Sequence, residues 1–219
     1  IFFWGAFEQA GASLTLFADR QTERTIFGWE MPASYFQSVN PLAVISLAPI
    51  MTIVWGFLYA RKLEPSSPKK MAIGLGLVAL GYVVIAIAVK GLGLGEKVSM
   101  WWLIGLYVIH TIGELCLSPI GLSMVSKLAP LRLSSLMMGT WFLANAAANK
   151  FAGTLSALIP GGEDGTGGAT SFLGFQITNL YEFFILFIIM SGAAAAILFV
   201  LSSWLEKRMH NDHVEAKME

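Results

Sequence analysis

The chain is poor in charge and nearly devoid of cysteine, and both shortages narrow what it can be. Acidic and basic residues fill 13% of its 219 positions, while 56% are hydrophobic; an ordinary soluble domain carries about a quarter charged residues. With a mean hydropathy of +0.67, that composition excludes a water-soluble globule of this length and implies an integral membrane protein. Fourteen basic residues balance fourteen acidic ones, and no basic stripe interleaved with aromatics occurs, so nothing calls for nucleic acid. The single cysteine, Cys116, has no partner for a disulfide and reads as a small packing residue in an apolar run. CxxC and HExxH arrangements, a phosphate-cradling glycine loop and a nucleophile elbow are also missing. No metal site, cofactor or enzymatic activity is therefore expected. An intramembrane enzyme built on His110 and Glu114 as an acid/base pair, or a non-transporting membrane subunit, is the alternative from another class.

What is present is a series of membrane-length apolar runs. A bilayer core needs about 20 apolar residues per helix, and the sequence supplies six stretches: Ile1 to Ala18, Ser34 to Ala60, Lys69 to Val89, Val98 to Ser126, Leu133 to Leu158 and Phe172 to Leu205. The first of them, opening IFFWGAFEQAGASLTLF, lacks an initiator Met, a basic leading region and a small-residue cleavage site. It reads as the interior of a helix, as expected of a piece of a longer polypeptide. Six crossings put both termini on one side. That side carries Arg61, Lys62, Lys69, Lys70, Lys127, Arg132, Lys207, Arg208 and Lys217, against Arg20, Arg24, Lys90 and Lys97 on the other. The positive-inside rule makes the first group cytoplasmic and puts the glycine-rich loop with Glu163 and Asp164 outside.

Polar residues inside these runs are the functional candidates, because a carboxylate at bilayer depth costs about 2.5–3.5 kcal/mol on insertion scales and usually faces a cavity or a partner. Glu114 lies mid-run in the fourth span, on one helical face with His110, Ser118 and Gly121; Glu8 shares a face of the first with Trp4, Gly11 and Thr15. His110 is a proton carrier by chemistry, but more commonly such a residue is hydrogen-bonded in a helix interface. Asn40 precedes Pro41 and reads either as a helix cap or as a cavity-facing amide able to donate and accept. Trp141 stands on a face of Asn145, Ala148 and Ala152, where small residues permit close helix packing and a tryptophan fills a gap or walls a pocket. Lys150 projects nearly opposite and can snorkel outward. Pro41, Pro49 and Pro119 fall within spans, where each removes a backbone hydrogen bond. In a membrane that is tolerated only against protein or a wet cavity.

Four segments together resemble a known family: WGAFEQAG around Glu8, SVNPLAVISLAPI with Asn40, GELCLSPIGLSMVSKLAP with Glu114, and SSLMMGTWFLANAAANKFAG with Trp141. They are similar to the second half of a bacterial proton-dependent oligopeptide transporter (POT/PTR family), within the major facilitator superfamily. The resemblance implies an all-α membrane protein whose six-transmembrane-helix bundle, residues 1–205, forms helices seven to twelve, with residues 206–219 as a cytoplasmic tail. It further implies proton-coupled symport of di- and tripeptides by alternating access at the bacterial cytoplasmic (inner) membrane. The partners implied are peptides, protons, lipid and an N-terminal six-helix bundle. Residue by residue, Glu114 matches the acid that meets the peptide's amino terminus and Asn40 the amide that contacts its backbone. Trp4, Ser118 and Trp141 match pocket-lining positions, and Glu8 matches the proton-coupling acid that pairs with a basic residue of the first bundle. The family's ExxERFxYY-type motif and its carboxylate-binding lysine belong to the first half and have no counterpart in this sequence. Another facilitator carrying a cationic or zwitterionic molecule is the nearer alternative. Residues 1–219 alone display half a site, so proteoliposomes containing only this segment are expected to show no gradient-driven dialanine accumulation.

Overall fold

The computed structural model describes residues 1–92, 96–160, 170–172 and 174–215, with side chains at all of these except 131, 170 and 207–215. The loop expected to carry Glu163 and Asp164 outside lies beyond the described residues. The helices are α1 (Phe2–Phe7), α2 (Ser13–Gln21), α3 (Val39–Ala60), α4 (Ser67–Val89), α5 (Met100–Leu128), α6 (Ser134–Ser156) and α7 (Leu180–Glu215), with 3-10 turns at Glu8–Gly11, Ala33–Ser38 and Leu131–Leu133. Among the described residues four helical segments are long and apolar enough to cross a membrane: Ala33–Ala60, Ser67–Val89, Met100–Leu128 and Leu180–Glu206. The fifth expected crossing is α6, which is long enough but diluted by its run of alanine, asparagine and glycine.

The first expected crossing is a correction. Ile1 to Ala18 is not one helix but α1 and α2 separated by the 3-10 turn, with Ala12 outside the helical region at φ −127°, ψ −103°. The uniform face of Trp4, Glu8, Gly11 and Thr15 expected from 3.6 residues per turn is lost there, because a 3-10 turn advances three residues per turn. The last crossing also starts later than expected. Thr170–Phe172 and Phe175–Ile177 form an antiparallel hairpin whose turn includes Gly174 at φ +84°. α7 then begins at a reciprocal cap: Thr178 N and Oγ1 donate to Glu182 Oε2, and Glu182 N donates to Asn179 Oδ1. The helix continues to Glu215, through most of the segment expected as a tail.

Pro41 needs no kink. It is the third residue of α3, where the backbone nitrogen has no intrahelical acceptor to lose. Pro49 and Pro119 lie inside α3 and α5, and both helices run through them.

α4 is the centre of the bundle and packs most extensively on α5 and α7. Its crossing with α5 is made by two glycines: a Cβ on Gly74 would stand 2.7 Å from the Gly113 carbonyl oxygen, and one on Gly113 would stand 2.8 Å from that of Gly74. Small residues at such a crossing let dispersion contacts and backbone proximity replace the hydrophobic drive that lipid abolishes. On the α7 side Tyr82 stacks on Phe187 at 4.8 Å, and Phe184 meets Phe17 edge-on at 5.4 Å. α3, by contrast, has no buried residue and turns Leu42, Ile45, Ile53 and Phe57 outward.

Charged contacts fix the two ends. Near the start of α4, Ser66 and Lys69 bind Glu206 of α7. Lys70 pairs with Glu64 and lies 4.5 Å from the Trp55 ring of α3. At the opposite end Arg24 joins Asp19 at 2.9 Å, Glu30 at 3.0 Å and the Met31 carbonyl at 2.7 Å. A short parallel pairing of Thr22–Glu23 with Val98–Ser99 ties α2 to α5. Replacing Gly74 by valine should force α4 from α5 and lower stability by about 1–3 kcal/mol, measured as a reduced melting temperature of the protein in detergent.

Candidate functional site

Asn40 and Glu114, far apart in sequence, meet between α3 and α5. Asn40 is the second residue of α3, and its Nδ2 donates to Glu114 Oε2 at 2.9 Å and to Thr111 Oγ1 at 3.0 Å. Thr111 in turn donates to the Tyr107 carbonyl at 2.8 Å. Both amide hydrogens of Asn40 are thus engaged, which leaves its Oδ1 as an acceptor. Glu114 is half-buried, and its Oε1 has no hydrogen-bond partner among the described residues. Among the described residues, the pair thus presents a carboxylate oxygen and a carbonyl-type oxygen that accept no hydrogen bond.

Glu8 opens the 3-10 turn between α1 and α2, half-buried, and its carboxylate makes no hydrogen bond among the described residues. Its carboxylate lies within electrostatic reach of Glu114. The two acids expected at bilayer depth therefore share one region of the bundle.

Trp4 and Trp141 form a neighbouring group. Together with Leu75, Leu117, Asn145 and Leu198 they help line an apolar cavity of about 330 Å³. Trp4 Nε1 is buried and has no hydrogen-bond partner among the described residues. The Trp141 indole lies over Gly121 so closely that a Cβ there would overlap it. Ser118 is half-buried one turn beyond Glu114, and its hydroxyl makes no hydrogen bond among the described residues; its neighbour Leu117 lines the cavity instead. The candidate residues thus fall into two adjoining groups, with Ser118 in neither.

His110 faces away from Glu114. Fully packed at α4, its Nε2 is 3.1 Å from the Val78 carbonyl, and its ring stacks on Phe7 at 6.1 Å and tilts against Tyr82 at 5.0 Å. Of its two readings, the helix-interface one holds. Lys150 is exposed on α6.

Sequence reasoning passed over four residues that hold the region together. Gln9 is wholly buried and bonds Gly5 and Ala152. Thr111 is the second partner of Asn40. Tyr82 and Tyr107 donate to the carbonyls of Ala6 and Ala10. Their signal was present as polar groups at membrane depth, the same signal that singled out the acids.

Residues 1–167 match the family PTR2, described as the POT family. The chain belongs to the POT family. The matched stretch includes all six candidates: Trp4, Glu8, Asn40, Glu114, Ser118 and Trp141. Among curated POT relatives, Peptide transporter YePEPT of Yersinia enterocolitica is 42% identical over 160 residues, 72% of this chain and 31% of that protein. Dipeptide and tripeptide permease A of Proteus mirabilis is 34% identical over 164 residues, 75% of this chain and 33% of that protein. The chain thus spans about a third of the length of these relatives. Among solved structures, a variant of a peptide transporter POT in complex with alafosfalin superposes with a TM-score of 0.78 at 32% identity, covering 92% of this chain and 38% of that one. This POT-family chain is an all-α membrane protein of the fold those transporters share. Because Gly121 admits Trp141 only for want of a side chain, Gly121→Val should displace the indole, seen as a shifted emission maximum in a variant retaining Trp141 as its sole tryptophan.

Proposed function

We propose that this segment is the C-terminal six-helix bundle of a proton-coupled symporter of di- and tripeptides, acting by alternating access in the bacterial cytoplasmic membrane. The observation that carries the reading is the Asn40–Glu114 pair, a carboxylate and an amide joined at 2.9 Å in a membrane interior. Relatives named as peptide transporters and as dipeptide and tripeptide permeases support it, as does a solved POT family transporter in complex with a thioalcohol conjugated peptide, 33% identical to this chain.

The chemistry follows from the free atoms. A peptide ammonium entering the site loses hydration, and Glu114 Oε1 replaces it with a charge-assisted contact. A peptide N–H then donates to Asn40 Oδ1. Trp4 and Trp141 wall the space beside the pair, and Ser118 offers a hydroxyl one turn along α5. Glu8 carries the proton: ionised, it pairs with a basic residue of an N-terminal bundle, and protonated, it releases that residue. A carboxylate so placed biases two arrangements of the bundles by its charge state. The outward apolar side chains of α3 serve contact with that bundle and with lipid. The excess of basic residues on one side supports a cytoplasmic location for both ends of this segment. No cofactor besides the coupling proton enters the scheme.

Two substitutions in the full-length transporter test the assignments. Glu114→Gln should weaken dialanine binding about ten- to hundredfold, as expected for losing a charge-assisted hydrogen bond of about 1.5–3 kcal/mol; unchanged affinity by calorimetry refutes the ammonium contact. Glu8→Gln should abolish dialanine accumulation driven by a pH gradient in proteoliposomes, and full accumulation refutes the proton role.

A further inference from the structure

The break between α1 and α2 frees backbone groups from the helical ladder in a segment where lipid offers them no partner, and several find one in the protein. Tyr82 of α4 donates to the Ala6 carbonyl at 2.7 Å. Tyr107 of α5, at 3.2 Å, and Thr15, at 2.7 Å, both donate to that of Ala10. The centre of this arrangement is Gln9, which is completely buried. Its Nε2 donates to the Gly5 carbonyl before the break at 3.2 Å and to the Ala152 carbonyl of α6 at 2.9 Å, while its Oε1 accepts from Ser13 Oγ after the break at 2.6 Å.

We propose that Gln9 is the positioning residue that couples the charge state of Glu8 to the placement of α6, the helix bearing Trp141. The inference rests on the symport reading above. Gln9 is bonded directly to Glu8 through the chain, so any movement of the acid between its paired and protonated states reaches the Gln9 backbone at once. The side chain has no slack to absorb that movement. Both amide hydrogens are committed, and the side chain is completely buried, so a lost partner is costly to replace. A shift at Glu8 is therefore shared with Ala152 rather than dissipated, and α6 moves as a rigid rod from Ala152 to Trp141 and Asn145 at the cavity. The Tyr82 and Tyr107 hydroxyls hold the flanking carbonyls to α4 and α5, which leaves α6 as the element Gln9 drives. The titratable groups around the break are Glu8 itself, Glu114, His110 and Tyr107 on α5 and Tyr82 on α4; the nearest charge on α6, Lys150, is exposed.

A purely structural glutamine would impair every mode of transport equally, and a coupling glutamine would not. In the full-length transporter reconstituted in proteoliposomes, Gln9→Met keeps the side-chain length and removes the amide. Dialanine counterflow, which needs no gradient, should stay within about twofold of wild type, while accumulation driven by a pH gradient falls at least about tenfold, within the range of ordinary coupling energies. Equal losses in both assays, or no loss in either, overturn the proposal. Should Gln9→Met fail to fold, Ser13→Ala removes only the donor that fixes Gln9 Oε1 and is read the same way: a selective loss of accumulation supports the proposal, and an equal loss or none overturns it. A wild-type protein without dialanine counterflow overturns the symport reading itself, a result distinct from any outcome at Gln9.

Discussion

Every polar backbone group of this chain that lies at bilayer depth must find its partner in the protein or in a wet cavity, since hydrocarbon offers none. Along α4 the helical ladder meets most of this requirement. At Glu8–Ala12 the α-helix lapses, and side chains take up the requirement: Tyr107 and Thr15 bond the Ala10 carbonyl, Tyr82 bonds that of Ala6, and a buried Gln9, itself held by Ser13, bonds those of Gly5 and Ala152. The interruption places a carboxylate on a non-helical turn, where its environment can differ between states. The same contacts that make the break tolerable in lipid also tie it to three neighbouring helices.

The remainder of the bundle gives that segment something firm to act against. The Gly74–Gly113 crossing brings α4 and α5 to backbone contact, and the aromatic stack of Tyr82, Phe184 and Phe187 locks α7 to them. α3 is attached more lightly. Its ties include the Asn40 amide on α5 and the Lys70–Trp55 contact near the opposite end; Val44, Leu47 and Met51 are only half-buried, and Leu42, Ile45, Ile53 and Phe57 face outward. A helix with no fully buried side chain is held less firmly than α4, and the Asn40–Glu114 bond is one of the polar contacts that fasten it.

Much of the fold was legible because hydropathy over some twenty residues reports directly on partition into lipid. α3, α4, α5 and α6 lie close to where the apolar runs placed them. The first span misled because apolarity does not distinguish a continuous helix from an interrupted one; WGAFEQAG is as hydrophobic either way. The last began late because Gly174 and the Thr178–Asn179–Glu182 cap act locally, beneath the resolution of a hydropathy window. Of the candidate site, the acids stood out by cost alone, whereas Gln9 and Thr111, uncharged and less expensive in lipid, did not.

The sequence by itself determined that this is a membrane protein, roughly where its helices run, and that Glu8 and Glu114 lie at a depth where carboxylates need a purpose. Its motifs also determined the family. Tertiary structure decided the partnerships. Asn40 reaches Glu114 across 74 residues, Gln9 reaches Ala152 across 143, and His110 turns to Val78 rather than to the acid one turn away. Hydrophobic pattern is a property of each residue and its near neighbours, so it can be read along the chain. A hydrogen bond requires a particular donor and acceptor within about 3 Å, and only the packing of whole helices brings such groups together.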